Sequence, residues 1–88
     1  MRIDRFLFFI RLAKSRTLAQ ALVETGYIRI DGKRITKPSE EVRAGSVVVL
    51  PLHGKARVIE VLSLPERRGP TAEARACYRE VDEESAAT

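Results

Sequence analysis

Two arginines that would face each other across a predicted hairpin are the first candidates for chemistry in this sequence. Residues 27–30 alternate polar and apolar side chains, Asp31-Gly32 follows, and the alternation then resumes. Asp-Gly between two such runs is typical of a two-residue type I′ turn, which places Arg29 opposite Arg34. Like charges in that position destabilise a sheet, whereas a phosphate bound between them would offset the repulsion. With Tyr27 on the same face, the pattern predicts an anion site beside an aromatic ring; the alternative is that both arginines extend into water.

A second basic cluster surrounds the predicted start of a helix. Arg11, Lys14 and Arg16 lie close together there, and Ser15 is a suitable N-cap. Free backbone N–H groups and the helix dipole favour an anion at such a position. Gln20 lies one turn beyond Arg16 on the same face and could contact a base edge or a 2′-OH. The cluster therefore predicts a phosphate contact, and an ordinary solvated helix terminus is the alternative.

Charge is distributed unevenly along the chain. Residues 1–37 contain nine basic and three acidic residues, whereas residues 38–88 contain seven basic and nine acidic ones. The overall charge is +4, with a sequence pI near 9.7. Lys33, Arg34 and Lys37 form a third basic cluster on the hairpin and the loop after it. A basic surface on a small domain favours an anionic partner, and this distribution places that surface in the first part of the chain.

Catalysis has little support in this sequence. The single histidine, His53, is predicted to lie in a turn, and the single cysteine, Cys77, in a short amphipathic helix. One cysteine cannot form an internal disulfide, and one histidine with one cysteine cannot supply the usual zinc ligand sets. We therefore expect a protein that is not an enzyme and that needs no cofactor or metal. Because a single cysteine suits a reducing compartment, we expect a cytoplasmic protein. The charged residues at positions 2–5 and the short apolar runs suit neither a signal peptide nor a membrane span, so we expect no membrane partner.

The basic clusters must be positioned by two helices and a small sheet. Helical spacing predicts a first helix with an apolar stripe, which consists of Ile3, Phe6, Leu7 and Ile10. A second helix is predicted from Arg16, ending before Gly26, with a stripe of Leu18, Ala21, Leu22 and Thr25.

Strands and one further helix complete the predicted domain. After a loop at 36–45, strands are predicted at 46–50 and 56–62 with a turn at 51–54, and a short closing helix at 71–78. An acidic, flexible tail is predicted at 82–88. The element order predicts an α+β domain at residues 1–81, in which two N-terminal helices pack on a small, mostly antiparallel sheet.

Several segments in order resemble a known RNA-binding family. The segments are RIDRFL at 2–7, KSRTLA at 14–19, GYIRIDGK at 26–33 and KPS at 37–39. Together they resemble the S4 RNA-binding domain, which carries the alpha-L RNA-binding motif. Residues 66–74 with Tyr78 are similar to the segment that follows this module in the heat shock protein 15 family, which consists of small, ribosome-associated bacterial proteins.

This resemblance implies a function in the cytoplasm. It implies binding to structured RNA, ribosomal RNA of the large subunit above all, when that subunit carries a stalled nascent chain with its tRNA, in rescue or recycling. We expect the protein to act as a monomer. Matched to the motif, the resemblance assigns RNA contacts to Arg5, Arg11, Lys14, Ser15, Arg16, Gln20, Arg29, Lys33 and Lys37.

Two alternatives remain beside RNA binding. The first two helices could form a helix-turn-helix DNA-binding unit, but the second helix offers few exposed polar residues for base contacts. The chain could also be a protein-interaction module whose charge is incidental. Salt titration separates these functions, because a protein-interaction module predicts no steep salt dependence.

Overall fold

Two helices begin the chain, and the first buries the predicted stripe. In the computed structural model, which describes residues 1–81, α1 spans Ile3–Phe9 and α2 spans Arg16–Glu24. The four stripe residues of α1 are Ile3, Phe6, Leu7 and Ile10, and none is more than 1% exposed. The predicted amphipathic first helix is therefore confirmed.

The ends of α2 agree with the sequence, but its buried face differs. Ser15 caps the helix, since its hydroxyl accepts a hydrogen bond from the Leu18 backbone N–H at 3.0 Å. Gly26 follows the helix with φ of 81°, a left-handed conformation that favours glycine. Leu18, however, is 53% exposed, whereas Ala19 and Val23 are fully buried. The predicted stripe was wrong because two stripes of this helix fit helical spacing, and packing against the rest of the fold selected the other one.

Five antiparallel strands form one sheet in the order β2-β1-β3-β4-β5. The α+β class is thereby confirmed. The strands and the third helix are β1 Ile28–Ile30, β2 Lys33–Ile35, β3 Val47–Leu52, β4 Lys55–Val61, α3 Thr71–Ala76 and β5 Tyr78–Val81.

The predicted hairpin register is confirmed. Ile28 pairs with Ile35, and Arg29 is directly opposite Arg34. Asp31 and Gly32 have φ of 51° and 82°, as a type I′ turn requires.

A second hairpin is tighter than predicted. The strands continue through Leu52 and from Lys55, so only His53 and Gly54 form the turn, with φ of 53° and 77°. The expected four-residue turn at 51–54 was therefore too long, because Pro51 is accommodated within β3.

The end of the described chain departs furthest from expectation. Helix α3 ends at Ala76, and Tyr78 begins a fifth strand that pairs with β4, opposite Val61. The predicted helix at 71–78 was therefore too long. Strand β5 supplies hydrogen-bond partners to the edge of β4, which local helical spacing cannot reveal. The predicted tail at 82–88 lies outside the described residues.

One hydrophobic core joins the helices to the sheet. It includes the stripe residues of α1 and the buried residues Ala19 and Val23 of α2. Inward-facing residues of β1 to β4, such as Ile28, Val48 and Ile59, complete it. Ala74 and Cys77 extend this core to α3. No helix within residues 1–81 is long and apolar enough to cross a membrane. The core fixes α1 and α2 against the hairpin, and thereby fixes the basic clusters that these elements carry.

Candidate nucleic-acid interface

A fully buried carboxylate lies at the start of α1. Asp4 is 0% exposed, and Arg2 donates to both of its oxygens, from Nε at 3.1 Å and from Nη2 at 3.0 Å. The backbone N–H of Arg5 donates at 2.8 Å. From α2, Gln20 Nε2 donates to Oδ2 at 3.2 Å and Arg16 Nη2 approaches the same oxygen at 3.5 Å. Asp4 therefore links the two helices and brings together the side chains of Arg2, Arg16 and Gln20.

The surroundings of Asp4 keep its carboxyl ionised. Burial raises the pKa of the group, but hydrogen bonds from Arg2, Gln20 and the Arg5 backbone, with the charge of Arg2, outweigh burial and lower the pKa below its ordinary value. Because two guanidinium groups approach this one carboxylate, the group formed by Asp4, Arg2 and Arg16 carries a net positive charge. This is the ion-pair role for which an acid at the start of a helix is suited.

The loop after the hairpin packs against the start of α1. The Asp4 backbone N–H donates to the Pro38 carbonyl at 3.3 Å, and that of Ile3 donates to the Glu40 carbonyl at 2.8 Å. Lys37 directly precedes Pro38, so its backbone lies near the start of α1, and its side chain is exposed. Arg5 is also exposed, with its guanidinium carbon 5.2 Å from the centre of the Phe9 ring.

The hairpin carries a separate group of predicted contacts. Arg29, Lys33 and Arg34 are exposed, and Tyr27 is 73% exposed. The Arg34 side chain lies over the turn that ends α2. It is so close to Gly26 that a Cβ added there would lie 2.6 Å from Arg34 Nη2. The Arg34 guanidinium, and Tyr27, which directly follows Gly26, are therefore adjacent to the end of α2.

The connection between α1 and α2 is held by the segment before α3. Arg11, at φ of 65°, donates from Nε to the Gly69 carbonyl at 2.7 Å. Arg68 donates in return to the carbonyls of Phe8 at 2.5 Å and Ala13 at 3.1 Å, and lies 4.3 Å from the centre of the Phe8 ring. Arg11 thus has a structural contact in addition to any role in binding. Lys14, in the same connection, is exposed.

The predicted residues therefore fall into three groups. Arg16 and Gln20 contact the buried Asp4 carboxylate, Arg5 directly follows Asp4 in α1, and Lys37 precedes the Pro38 carbonyl that accepts from the Asp4 backbone N–H. Tyr27, Arg29, Lys33 and Arg34 lie on the hairpin. Arg11, Lys14 and Ser15 lie on the connection between the helices.

Sequence reasoning missed two arginines that matter to this arrangement. Arg2 was not among the predicted contacts, although its side chain is 44% exposed beside Arg16. Its position two residues before Asp4 was the available signal. Arg68 was also missed, because nothing near it in the chain indicates that it contacts residues 55 and 60 positions away.

The single cysteine and the single histidine of the sequence belong to none of the three groups of predicted contacts. No three residues among His, Cys, Asp and Glu in this part of the chain lie close enough to hold a metal ion. Cys77 is buried and its thiol donates to the Glu73 carbonyl at 3.4 Å. His53 is exposed in its hairpin turn.

Comparison with known proteins gives concordant matches. The family model of the S4 domain matches residues 1–48. Heat shock protein 15 of Escherichia coli K12 is 32% identical over 83 residues, which cover 94% of this chain and 62% of that protein. Small ribosomal subunit protein uS4 of Lacticaseibacillus casei is 47% identical over 49 residues, which cover 56% of this chain and 24% of that protein.

Among solved structures, a trimeric structure of heat shock protein 15 from Vibrio cholerae matches with a TM-score of 0.87 and 31% identity. The match covers 99% of this chain and 86% of that one. The chain spans 62% of the length of the Escherichia coli heat shock protein 15 that it matches.

Proposed function

Because this chain belongs to the S4 domain family, we propose that it is an RNA-binding protein that recognises structured RNA. The observation that carries the proposal is the pairing of Arg29 with Arg34 across the β1–β2 hairpin. Like charges at paired positions of a hairpin disfavour folding, and a phosphate bound by both arginines would offset the repulsion with charge-assisted hydrogen bonds. The exposed ring of Tyr27 beside them suits stacking on a base.

The RNA in this proposal is ribosomal. Similarity to heat shock protein 15 and to a small ribosomal subunit protein supports a ribosomal target. We infer the finer role from the heat shock protein 15 likeness: binding to the large subunit that carries a stalled nascent chain with its tRNA, in rescue or recycling, in the cytoplasm. The proposed activity is binding alone, with no reaction catalysed.

Residues 1–81 would act as one RNA-binding domain, with a single chain as the binding unit. Light scattering with and without RNA tests this: we expect the mass of one chain, whereas a trimer, as in the structure of heat shock protein 15 from Vibrio cholerae, would contradict the single-chain unit. The proposed contact residues are Arg5, Arg11, Lys14, Ser15, Arg16, Gln20, Tyr27, Arg29, Lys33, Arg34 and Lys37.

Salt titration of binding to ribosomal RNA transcripts and to duplex DNA tests the proposal. We expect tighter binding to structured RNA, with affinity that falls steeply as salt rises. Transcripts from both ribosomal subunits are compared, since the finer role predicts preference for the large one. Equal or tighter binding to duplex DNA would favour the helix-turn-helix alternative, and the absence of a salt dependence would favour a protein-interaction module.

Two substitutions locate the binding surface. Arg16→Ala and Lys33→Ala should each weaken RNA binding and reduce the salt slope by about one phosphate contact. Arg79→Ala is the matched control, because Arg79 lies on β5, at the opposite edge of the sheet from the hairpin, and pairs with Glu60. If the control loses as much affinity as the two test variants, the binding surface lies elsewhere.

A further inference from the structure

We propose that a cavity between the end of α1 and the segment around α3 binds one unpaired base of the RNA, and that it prefers guanine. The cavity has a volume of about 250 Å³. Apart from Phe9, every residue that lines it lies between positions 65 and 77, beyond residues 1–48 that the S4 family model matches. The inference rests on the proposed RNA-binding function and deepens it, because it names a feature of the RNA that this chain reads.

The cavity has an apolar interior and a charged rim. Ala74 and Cys77, which contribute to its lining, are only 4% and 8% exposed. The half-buried ring of Phe9 adds an aromatic wall from the last position of α1. The charged residues of the lining are all exposed, and they are Glu66, Arg67 and Glu73. A concave apolar site with a few convergent polar groups is the usual form of a site for a small ligand.

Two of the proposed RNA-contacting arginines touch the lining of this cavity. The guanidinium carbon of Arg5 lies 5.2 Å from the centre of the Phe9 ring, and Arg11 Nε donates to the Gly69 carbonyl at 2.7 Å. Phe9 and Gly69 both line the cavity. A nucleotide whose phosphate contacts Arg5 or Arg11 therefore brings its base close to the cavity. Because the carboxylates at the rim repel a phosphate, the group that enters is the uncharged base.

The side chains of the cavity suit a base with both donors and acceptors. Unpaired RNA bases stack on aromatic rings or guanidinium planes and form hydrogen bonds at their edges, and Phe9 and Arg67 supply such planes. Arg67 uses Nη2 for both carboxylate oxygens of Glu73, at 3.2 and 3.3 Å, so its other N–H donors remain for a base. Guanine presents two acceptors, O6 and N7, to an arginine, and its N–H groups can donate to a carboxylate such as that of Glu66.

RNA stem-loops that differ only in one bulged nucleotide test the proposal. The parent protein should bind the stem-loop with a bulged guanine about tenfold more tightly than the fully paired one, and several-fold more tightly than those with bulged adenine, cytosine or uracil. Fluorescence anisotropy measures these affinities at one fixed salt concentration, because salt alters the phosphate contacts that all the stem-loops share. The ratio between stem-loops therefore reports on the base alone.

Removing the charge of Glu66 separates base recognition from simple electrostatics. Charge arithmetic predicts that Glu66→Gln binds every stem-loop equally or more tightly, with the preference for guanine unchanged. The base site predicts that this preference falls several-fold, because the amide has one oxygen acceptor where the carboxylate has two. Glu24→Gln is the matched control, since Glu24 is an exposed acid at the last position of α2 and does not line the cavity. It should retain the full preference.

A second pair of variants tests the aromatic wall. Phe9→Leu keeps an apolar side chain but removes the ring, so the preference for the bulged guanine should fall, whereas Phe9→Tyr should keep it. Loss of the contact between Phe9 and Arg5 would weaken binding to all the stem-loops alike, so it leaves their ratio unchanged. Circular dichroism, at a temperature well below the melting transition, establishes that each variant is folded when affinity is measured.

The outcomes separate the two proposals. If the parent protein shows no salt-dependent binding to any of these RNAs, the proposed function fails and the base site fails with it. If the parent binds all the stem-loops equally, or if Glu66→Gln and Phe9→Leu both retain the full preference, only the base site is overturned, and a peptide side chain becomes the better occupant of the cavity. A preference for another base that both variants abolish overturns the choice of guanine. If Phe9→Leu does not fold, Glu66→Gln decides.

Discussion

Replacement of Arg68 by alanine should destabilise the domain far more than replacement of its neighbour Arg67. Arg68 donates to the carbonyls of Phe8 and Ala13 and lies over the Phe8 ring, so it joins the segment before α3 to both ends of the connection between α1 and α2. Arg67 is 72% exposed on its side chain and pairs with Glu73 at the surface. The two residues are adjacent and chemically identical, so only their contacts differ.

The expected cost follows from those contacts. The Phe8 carbonyl keeps a second donor, the Arg11 backbone N–H at 3.1 Å, whereas within residues 1–81 the Ala13 carbonyl has only Arg68. A hydrogen bond from a charged donor contributes about 1.5–3 kcal/mol and a cation–π contact about 0.5–1 kcal/mol. Arg68→Ala should therefore lower the free energy of unfolding by about 2–3 kcal/mol, which corresponds to a fall in Tm of roughly 10–20 °C in a domain of this size. An exposed pair such as Arg67 with Glu73 contributes about 0–1 kcal/mol.

Thermal and urea unfolding of the parent and both variants measure this difference. Arg68→Lys should recover part of the loss, because an ammonium group can reach a carbonyl but cannot supply the same planar contacts. Equal loss of stability in Arg67→Ala and Arg68→Ala would refute the reasoning, since the carbonyl contacts would then contribute no more than an exposed ion pair.

Three further predictions concern the helices and the hairpin. Arg34→Thr should leave the free energy of unfolding unchanged or raise it by a few tenths of a kcal/mol, because the repulsion from Arg29 is removed. The same variant should bind RNA more weakly in a titration. Lower stability with unchanged affinity would contradict a phosphate site there. Ser15→Ala should cost about 1 kcal/mol in urea unfolding through loss of the α2 cap, and no measurable loss would mean that the cap is dispensable. The pKa of Asp4 is lower in the folded than in the unfolded state, so its contribution to stability is present above about pH 4 and is lost as pH falls through the folded value. Unfolding curves between pH 6 and about 2 should therefore show the stability difference between parent and Asp4→Asn shrinking below about pH 4; a constant difference would contradict the lowered pKa.

Local signals in the sequence were enough to predict the hairpin register and the ends of α2. Asp31 and Gly32 adopt positive φ readily, so the turn fixed the register that places Arg29 opposite Arg34. Ser15 and Gly26 likewise marked the ends of α2 through their own capping and backbone preferences. These signals work because each depends on residues within a few positions of one another.

The sequence alone could not predict which face of α2 is buried. A stripe through Leu18 and a stripe through Ala19 and Val23 both fit helical spacing, and only packing selected the second. The same packing turned Arg16 and Gln20 toward Asp4. Strand β5 was not predicted for a related reason: it is stabilised by pairing with the edge of β4 and not by a pattern within its own four residues.

Residue type and local spacing show that the first part of the chain is basic, and they predict which of its residues contact RNA. Which of those residues lie together, and what holds them there, follows from the folded arrangement alone. The hydrogen bonds to Asp4 come from residues up to 16 positions away, and Arg68 contacts residues 55 and 60 positions away. Contacts of this kind arise when burial of the whole core fixes the helices and strands relative to one another, and no pattern read along the chain contains that arrangement.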